Sequence, residues 1–347
     1  MINNHETYMR RCIELAKLGA GFVAPNPMVG AVLVHNEKII GEGFHQQYGQ
    51  AHAEVNCINN VKKEDKEFIN QSTLYVSLEP CAHHGKTPPC ADLIIKNKIA
   101  KVVIGCRDPF VEVDGKGIEK LLNANVEVVQ HVLENECMEL NKRFFTFHTK
   151  NRPYIILKWT QSNNHKIANA DYSKIFISNE FTNRTVHKWR SEEAAIMVGT
   201  KTALTDNPSL NVRLWNGRNP VRITIDKDLS LPSSLNLFNG EIKTIVFNTI
   251  KNEEKNNIIY YKMNDEKYLT KQIVDALFKL NIQSVLIEGG TKLLQSFINE
   301  NLWDEARVII NEQLIIDNGL NAPELRDAKL FYEEKIFSDH IYYYKKD

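Results

Sequence analysis

The sequence has little that would tie it to a membrane, a disulfide framework or a polyanion. No apolar run approaches the length needed to cross a bilayer. The amino terminus, Met1-Ile2-Asn3-Asn4-His5-Glu6, lacks the basic and then apolar pattern of a signal peptide, so the expected location is the cytoplasm. Six cysteines in 347 residues are too few for a disulfide scaffold, and Cys12, Cys57, Cys106 and Cys137 read as small core residues with free thiols. Lysine plus arginine number 43 and aspartate plus glutamate 43, a formal net charge of zero that offers no broad attraction to nucleic acid or to an anionic membrane. No Gly-x-Gly-x-x-Gly follows any strand-like run, which leaves a Rossmann dinucleotide site without support. The length exceeds the usual size of a single core, so two domains are expected.

What the chain does have is metal-ligand chemistry concentrated in His52-Ala53-Glu54 and in Leu78-Glu79-Pro80-Cys81-Ala82-His83-His84-Gly85-Lys86-Thr87-Pro88-Pro89-Cys90. A catalytic zinc needs three protein ligands and one open position, and His52, Cys81 and Cys90 supply one imidazole and two thiolates. Glu54 is left over as a proton carrier, the division of labour of zinc-dependent nucleobase deaminases. Thr73-Leu74-Tyr75-Val76-Ser77-Leu78 reads as a strand that delivers Cys81 just past its end. Pro88-Pro89 opens a helix near Cys90, whose N-terminus favours an anionic thiolate. The competing reading is a closed structural site in which His83 or His84 is a fourth ligand, but it leaves Glu54 without a role. Eight residues separate the two cysteines where the general deaminase signature has two. That insert, with His83, His84, Gly85 and Lys86, is expected to form a polar, cationic lip over the site.

Around these motifs the chain alternates between strand and helix. A helix is expected over 7–18, a hairpin over 29–34 and 38–43, then a strand over 102–106, a helix over 117–123, a strand over 126–129 and one helix over 134–147. Asn26 and His45 flank the hairpin, and by themselves they read as turn residues. Such alternation means an α/β sheet covered by helices, with ligands where strand ends meet helix starts. A polar stretch over 149–153 ends in proline and is expected to link a domain over 1–148 to another over 154–347. In the second half, strands are expected at 153–159, 195–198, 221–225, 243–247, 285–287 and 306–310, with helices at 271–280 and 293–300. Glu288-Gly289-Gly290-Thr291 lies between a strand and a helix, where its amides suit either a phosphate or an ordinary tight turn.

His-Ala-Glu followed by the Leu-Glu-Pro-Cys to Pro-Pro-Cys run resembles the deaminase half of the bifunctional deaminase/reductase of riboflavin biosynthesis. Pro25-Asn26-Pro27-Met28-Val29-Gly30, Arg107-Asp108-Pro109-Phe110 and Gly115-Lys116-Gly117 resemble it as well. Lys158 to Ser162, His187-Lys188-Trp189-Arg190, Gly199-Thr200-Lys201-Thr202, the run from Asp206 to Arg213, and Glu288-Gly289-Gly290 are similar to its reductase half. The resemblance implies a cytidine-deaminase-like three-layer α/β domain, followed by a dihydrofolate-reductase-like α/β domain that uses NADPH. It implies zinc-dependent deamination of a phosphoribosylated diaminopyrimidine and then reduction of its ribosyl chain to ribityl. It also makes Asn26, His45 and Lys86 contacts of that substrate in the first half, with Ser173, Arg190, Leu210, Arg213 and Glu288 in the second. Thr160, Ile175, Thr202, Asp206, Gly289, Gly290 and Thr291 would line the NADPH site. Arg190 and Arg213 suit a clamp on the substrate phosphate, since guanidinium forks bind phosphate oxygens bidentately. The chain departs from the family in having Ser162-Asn163-Asn164-His165-Lys166 where Ser-x-Asp-Gly-Lys/Arg is usual, and Ile175 where tryptophan is frequent.

Two other readings compete with this one. A nucleoside or tRNA deaminase with an accessory binding domain would share the His-x-Glu and Pro-Cys pieces, but zero net charge and a second α/β half do not suit an RNA binder. A zinc-stabilised interaction protein would need a closed metal site. The expected partner is therefore a small phosphorylated pyrimidine, without nucleic acid or membrane, and the expected assembly is a homo-oligomer.

Overall fold

A computed structural model describes residues 4–83, 88–171, 173–264 and 268–346. His84 and Lys86, expected at the lip of the zinc site, lie outside the described residues. The chain divides into two compact units, Met1–Asn151 and Arg152–Asp347.

The first unit contains α1 (Asn4–Lys17), β1 (Gly30–His35), β2 (Lys38–Phe44), α2 (Ala53–Asn59), β3 (Thr73–Leu78), α3 (Cys90–Lys96), β4 (Lys101–Cys106), α4 (Lys116–Asn123), β5 (Glu127–Val129), α5 (Glu134–Leu140) and α6 (Lys142–Lys150). Its sheet runs β2-β1-β3-β4-β5, with β1 antiparallel to β2 and β3, and with β3, β4 and β5 parallel. Strand residues alternate between two cores, as the two-residue period of a strand requires. Leu33, Leu74, Val76, Val102 and Ile104 pack with Cys57 and Ile58 of α2, Ile94 of α3 and Leu121 of α4. Val32, Val34, Tyr75 and Val103 face the other way, against Met9, Cys12 and Ile13 of α1 and Cys137 of α5. Three layers result, because a sheet buried on both faces needs helices on both.

Two glycines of β2, Gly41 and Gly43, set the distance between α2 and the sheet, Gly43 at the closer approach. A Cβ on Gly43 of β2 would stand 2.2 Å from the backbone nitrogen of Cys57 and 2.6 Å from the carbonyl oxygen of Ala53. Only glycine lets α2 lie this close, and the close approach brings the segment after β2 beside the start of α2.

The helix expected over 134–147 is broken at Asn141. Its backbone keeps a tight turn, with Asn141 N donating to Met138 O at 3.1 Å, while its side chain reaches the Pro25 to Met28 segment. Oδ1 accepts from Met28 N at 2.8 Å, and Nδ2 donates to Met28 O at 2.9 Å.

The second unit contains β6 (Tyr154–Ser162), β7 (Lys166–Asn169), α7 (Glu180–Glu192), β8 (Ala195–Val198), α8 (Thr200–Asp206), β9 (Val221–Ile225), β10 (Thr244–Asn248), β11 (Glu253–Lys255), β12 (Ile258–Lys262), α9 (Leu269–Lys279), β13 (Ser284–Ile287), α10 (Thr291–Asn299), β14 (Glu305–Asn311), β15 (Gly319–Asn321), β16 (Ala328–Ile336) and β17 (Asp339–Lys346). Ten strands form one sheet in the order β11-β12-β10-β9-β8-β13-β6-β14-β17-β16. Strands β12 to β14 in that order are parallel neighbours, so their carboxyl ends share one edge of the sheet. Helices α9 and α10 cover one face through Ile273, Leu277, Leu294 and Phe297. Helix α7 covers the other through Val186 and Trp189.

The Ser162 to Lys166 departure forms an ordered turn. Asn164 accepts from Ser162 Oγ at 2.7 Å and from Ile316 N at 3.2 Å, and it donates to Ile316 O at 3.0 Å. An amide does both where a carboxylate only accepts. His165 takes the φ of +59° that a glycine would adopt freely.

Gly43→Ala is expected to destabilise the chain by about 1–3 kcal/mol, because α2 must move off the sheet. Denaturant unfolding of the full chain measures it, and an unchanged midpoint would contradict the close-approach argument.

Candidate active sites

The carboxyl end of β3 and the starts of α2 and α3 meet in the first unit. His52 occupies the N-cap position of α2, Glu54 lies in the first turn of that helix, and Cys90 is the first residue of α3. His52 Nδ1 lies 3.5 Å from Cys81 Sγ and 3.4 Å from Cys90 Sγ. Among the described residues these three form the one group whose ligating atoms come together, all within 4.8 Å. A tetrahedral zinc with bonds of about 2.3 Å to sulfur and 2.0–2.1 Å to nitrogen sets nitrogen-to-sulfur edges of about 3.5 Å, so the residues fit the ion. His83 is not in the group, and its ring meets Phe110 edge-on at 6.0 Å.

The electrostatics of the two thiols differ. Cys81 is drawn down to about 4, first by the hydrogen bond from the Cys90 thiol and further by His52 and the Cys90 backbone N–H. Cys90 is pushed well up by the Cys81 thiolate and by burial. The sequence pointed to Cys90 as the thiolate favoured by the helix start. In the structure the Cys90 N–H donates to Cys81 Sγ at 3.3 Å, so Cys81 receives that help. Glu54 is 3% exposed, and its carboxyl is raised by burial and next by the Cys81 thiolate. A carboxylate with a raised pKa beside the ligands is equipped to accept and return a proton.

Asn26 and His45 come together as well. Asn26 Nδ2 and His45 Nε2 are 3.1 Å apart, and His45 Nδ1 lies 3.0 Å from Ala51 O. The His45 and His52 rings stand edge to face at 5.3 Å. Burial lowers the pKa of His45, favouring the neutral ring beside His52.

In the second unit the carboxyl ends of β6, β8 and β13 gather Lys158, Thr160, Gly199 and Glu288, where open parallel sheets bind ligands. Arg190 holds Glu288 with both prongs, Nε and Nη2, each at 2.7 Å. Lys158 stands 3.9 Å from the same carboxylate. Burial alone would raise the Glu288 carboxyl, but the charges of Arg190 and Lys158 hold it down at about 2. Sequence motifs suggested Arg190 as half of a phosphate clamp, yet its fork is committed to Glu288. The Arg213 side chain lies at the exposed rim, with Nη1 on Asn211 Oδ1 at 3.0 Å.

Gly289, with φ +130°, has open space where a Cβ would stand, and Gly290 abuts Thr202 Oγ1. Together with Thr291 they open α10, whose first amides have no partners within the helix. This glycine cradle fits a dinucleotide phosphate. Leu210 is buried among Ile196, Val198 and Ala203. Ser173 and Asp206 are exposed with local hydrogen bonds, and Ile175 is half-buried.

Comparison with known proteins decides the family. The profile for the cytidine and deoxycytidylate deaminase zinc-binding region matches residues 2–106, and that for the RibD C-terminal domain matches residues 153–315. Riboflavin biosynthesis protein RibD of Aquifex aeolicus is 38% identical over 325 residues, 92% of this chain and 90% of that protein. The chain belongs to the RibD family. RibD of Bacillus amyloliquefaciens is 36% identical over 339 residues, 95% of this chain and 90% of that protein. A crystal structure is also similar: the diaminohydroxyphosphoribosylaminopyrimidine deaminase/5-amino-6-(5-phosphoribosylamino)uracil reductase of Thermotoga maritima has a TM-score of 0.90 at 36% identity, and the match covers 99% of both chains. Both halves thus have the RibD fold, a cytidine-deaminase-like domain followed by the RibD reductase domain, with zinc and NADPH as cofactors.

Two residues of this RibD chain support the zinc site from behind. Glu79 is 3% exposed, and its carboxylate accepts four backbone N–H groups: Asp108 at 3.2 Å, Gly115 at 3.0 Å, Gly117 at 2.9 Å and Ile118 at 3.2 Å. It anchors the turn carrying Cys81 to the start of α4, which gives the Gly115-Lys116-Gly117 motif a physical role. Asn141 holds the backbone of Met28, two residues from Asn26. Neither role was readable from sequence spacing, because each joins segments far apart in the chain. The one available signal for Glu79 was a charged residue closing an otherwise apolar strand.

Glu79→Gln is expected to weaken zinc binding by about 10-fold, since an amide nitrogen cannot accept the N–H groups that one carboxylate oxygen held and the loosened Cys81 turn passes on about 1–3 kcal/mol of lost anchoring. Competition of the folded protein with a zinc chelator measures it, and an affinity equal to wild type would contradict the anchoring role.

Proposed function

We infer that this protein is a bifunctional riboflavin-pathway enzyme. It deaminates 2,5-diamino-6-(5-phosphoribosylamino)pyrimidin-4-one and reduces the resulting 5-amino-6-(5-phosphoribosylamino)uracil to its ribityl form. The convergence of His52, Cys81 and Cys90 around Glu54 carries the first half of this reading. His52, Cys81 and Cys90 hold the zinc, with His83 and His84 outside its shell. When bound, zinc supplies a Lewis acid that makes water a nucleophile near neutral pH. Glu54 takes a proton from the attacking water and delivers it to the amino group, which leaves as ammonia while the ring carbon becomes a carbonyl. Asn26 and His45 orient the pyrimidine, and Lys86 meets its phosphorylated tail.

In the second half bound NADPH would supply a hydride to C1 of the opened sugar, with a proton from solvent completing the two-electron reduction. Thr160, Ile175, Thr202, Asp206 and Gly289 to Thr291 line its site, and the protein's own work is orientation. Ser173, Leu210 and Arg213 contact the substrate, Arg213 at the phosphate. Glu288 and Arg190 present a fixed polar wall to the sugar. Residues 1–148 form the deaminase domain and 154–347 the reductase domain. The protein works in the cytoplasm as a homo-oligomer on small molecules, without nucleic acid or membrane. Zero formal net charge supports this, and no described helix is long and apolar enough to cross a membrane. The exposed Leu330, Phe331 and Tyr332 on edge strand β16 support self-association.

Glu54→Gln should lower deamination by about 10² or more with zinc content unchanged, because general acid-base catalysis is typically worth 10²–10⁴. Zinc-stripped protein given the uracil intermediate should still oxidise NADPH. Normal deamination by the variant would exclude the mechanism, and loss of NADPH oxidation with zinc would show that the two activities depend on each other.

A further inference from the structure

His187 lies one turn before Arg190 on α7, on the same face, and the reaction scheme above gives it nothing to do. The imidazole is 3% exposed. Its Nδ1 accepts a hydrogen bond from the backbone N–H of Arg213 at 3.1 Å. With Nδ1 as acceptor, the single proton of the neutral ring sits on Nε2. Among the described residues that Nε2–H has no hydrogen-bond partner, and it is not one of the side-chain atoms sealed from solvent without one.

The charged groups around the ring are Arg190, Arg213, Glu288 and Lys158, so it sits among the groups already assigned to the reductase site. The one carboxylate there is occupied by the Arg190 fork. Burial, then the charges of Arg190 and Arg213, lower the ring's pKa to about 4, which keeps it neutral and the tautomer fixed. That N–H is open to solvent and not sealed, so a ligand entering the site can bring an oxygen to it in place of water.

We propose that His187 is a substrate-binding residue of the reductase site, its Nε2–H donating to an oxygen of the phosphoribosylamino chain while its Nδ1 holds the Arg213 segment in place. This rests on the reductase reading above. The neutral N–H adds a directional donor beside the charged Arg190, Arg213 and Lys158. It also couples substrate contact to the position of Arg213, because one ring makes both bonds.

The two nitrogens can be separated by substitution. In His187→Asn the amide oxygen still accepts from Arg213 N, while the donor at the Nε2 position is lost. In His187→Gln the longer side chain returns an N–H near that position. Calorimetric titration of the full-length protein with 5-amino-6-(5-phosphoribosylamino)uracil, and separately with NADPH, reads the effect. His187→Asn should bind the uracil about five- to tenfold more weakly, the loss of one neutral hydrogen bond, with NADPH affinity unchanged. His187→Gln should bind the uracil more tightly than His187→Asn does. Wild-type affinity in His187→Asn, equal weakening of both ligands, or the reverse order of the two variants would each overturn the proposal. If His187→Asn does not fold, His187→Gln binding the uracil as weakly as His187→Ala overturns it, and tighter binding supports it. Failure of the wild-type protein to bind the uracil at all would instead remove the reductase reading.

Discussion

Two thiols and an imidazole are held within 4.8 Å of one another by this chain, and the first unit is arranged around that requirement. Thiols at such a distance resist ionising together, so the scaffold must favour one thiolate before the other. It does so asymmetrically. The start of α3 gives its Cys90 N–H to Cys81, and His52 and Cys90 lend further hydrogen bonds, so Cys81 ionises first. The rest follows from keeping these atoms in register. Gly43 lets α2 approach the sheet, and Glu79 ties the Cys81 turn to four amides at the start of α4 and its approach. An ion entering such a site meets ligands already placed, which is how a catalytic centre keeps one coordination position open.

The second unit solves a different problem, the burial of charge. Glu288 is 8% exposed on its side chain and would be expensive to ionise alone, but Arg190 meets it bidentately and Lys158 stands behind. Such a cluster is rigid because losing any partner strands a charge. Rigidity suits an enzyme half whose own contribution is to orient a sugar against a cofactor. The glycine pair at the start of α10 provides the complementary feature, backbone that a phosphate can approach without a side chain in between.

The grouping of His52, Cys81 and Cys90 was legible in the sequence because each stands in a short motif with its own local signature, a histidine before a helix start or a cysteine just past a strand. Strands β3, β8 and β9 were legible end to end for a similar reason: runs such as Ala195 to Val198 are buried on both faces and read as continuous apolar segments. What escaped was long-range. Periodicity ran one helix through Asn141, where the side chain instead bonds the Met28 backbone 113 residues away. The β16 and β17 hairpin was missed because β16 is an exposed edge strand with charges interleaved, so it lacks the apolar pattern of its neighbours. Arginine motifs in α7 suggested a free fork at Arg190, since sequence cannot reveal that Glu288, 98 residues later, already occupies it. The departure after β6, where aspartate and glycine are usual, alters a loop without breaking it. Asn164 instead bonds both peptide groups of Ile316, and His165 accepts the left-handed backbone.

The central claim is an open zinc site with three protein ligands, and zinc-edge X-ray absorption of the purified full-length protein tests it most directly. The account predicts two sulfurs at about 2.3 Å, one imidazole nitrogen at about 2.0–2.1 Å and one further light atom without imidazole scattering. A shell of two sulfurs with two imidazoles would mean that His83 or His84 closes the site, and it would contradict the account.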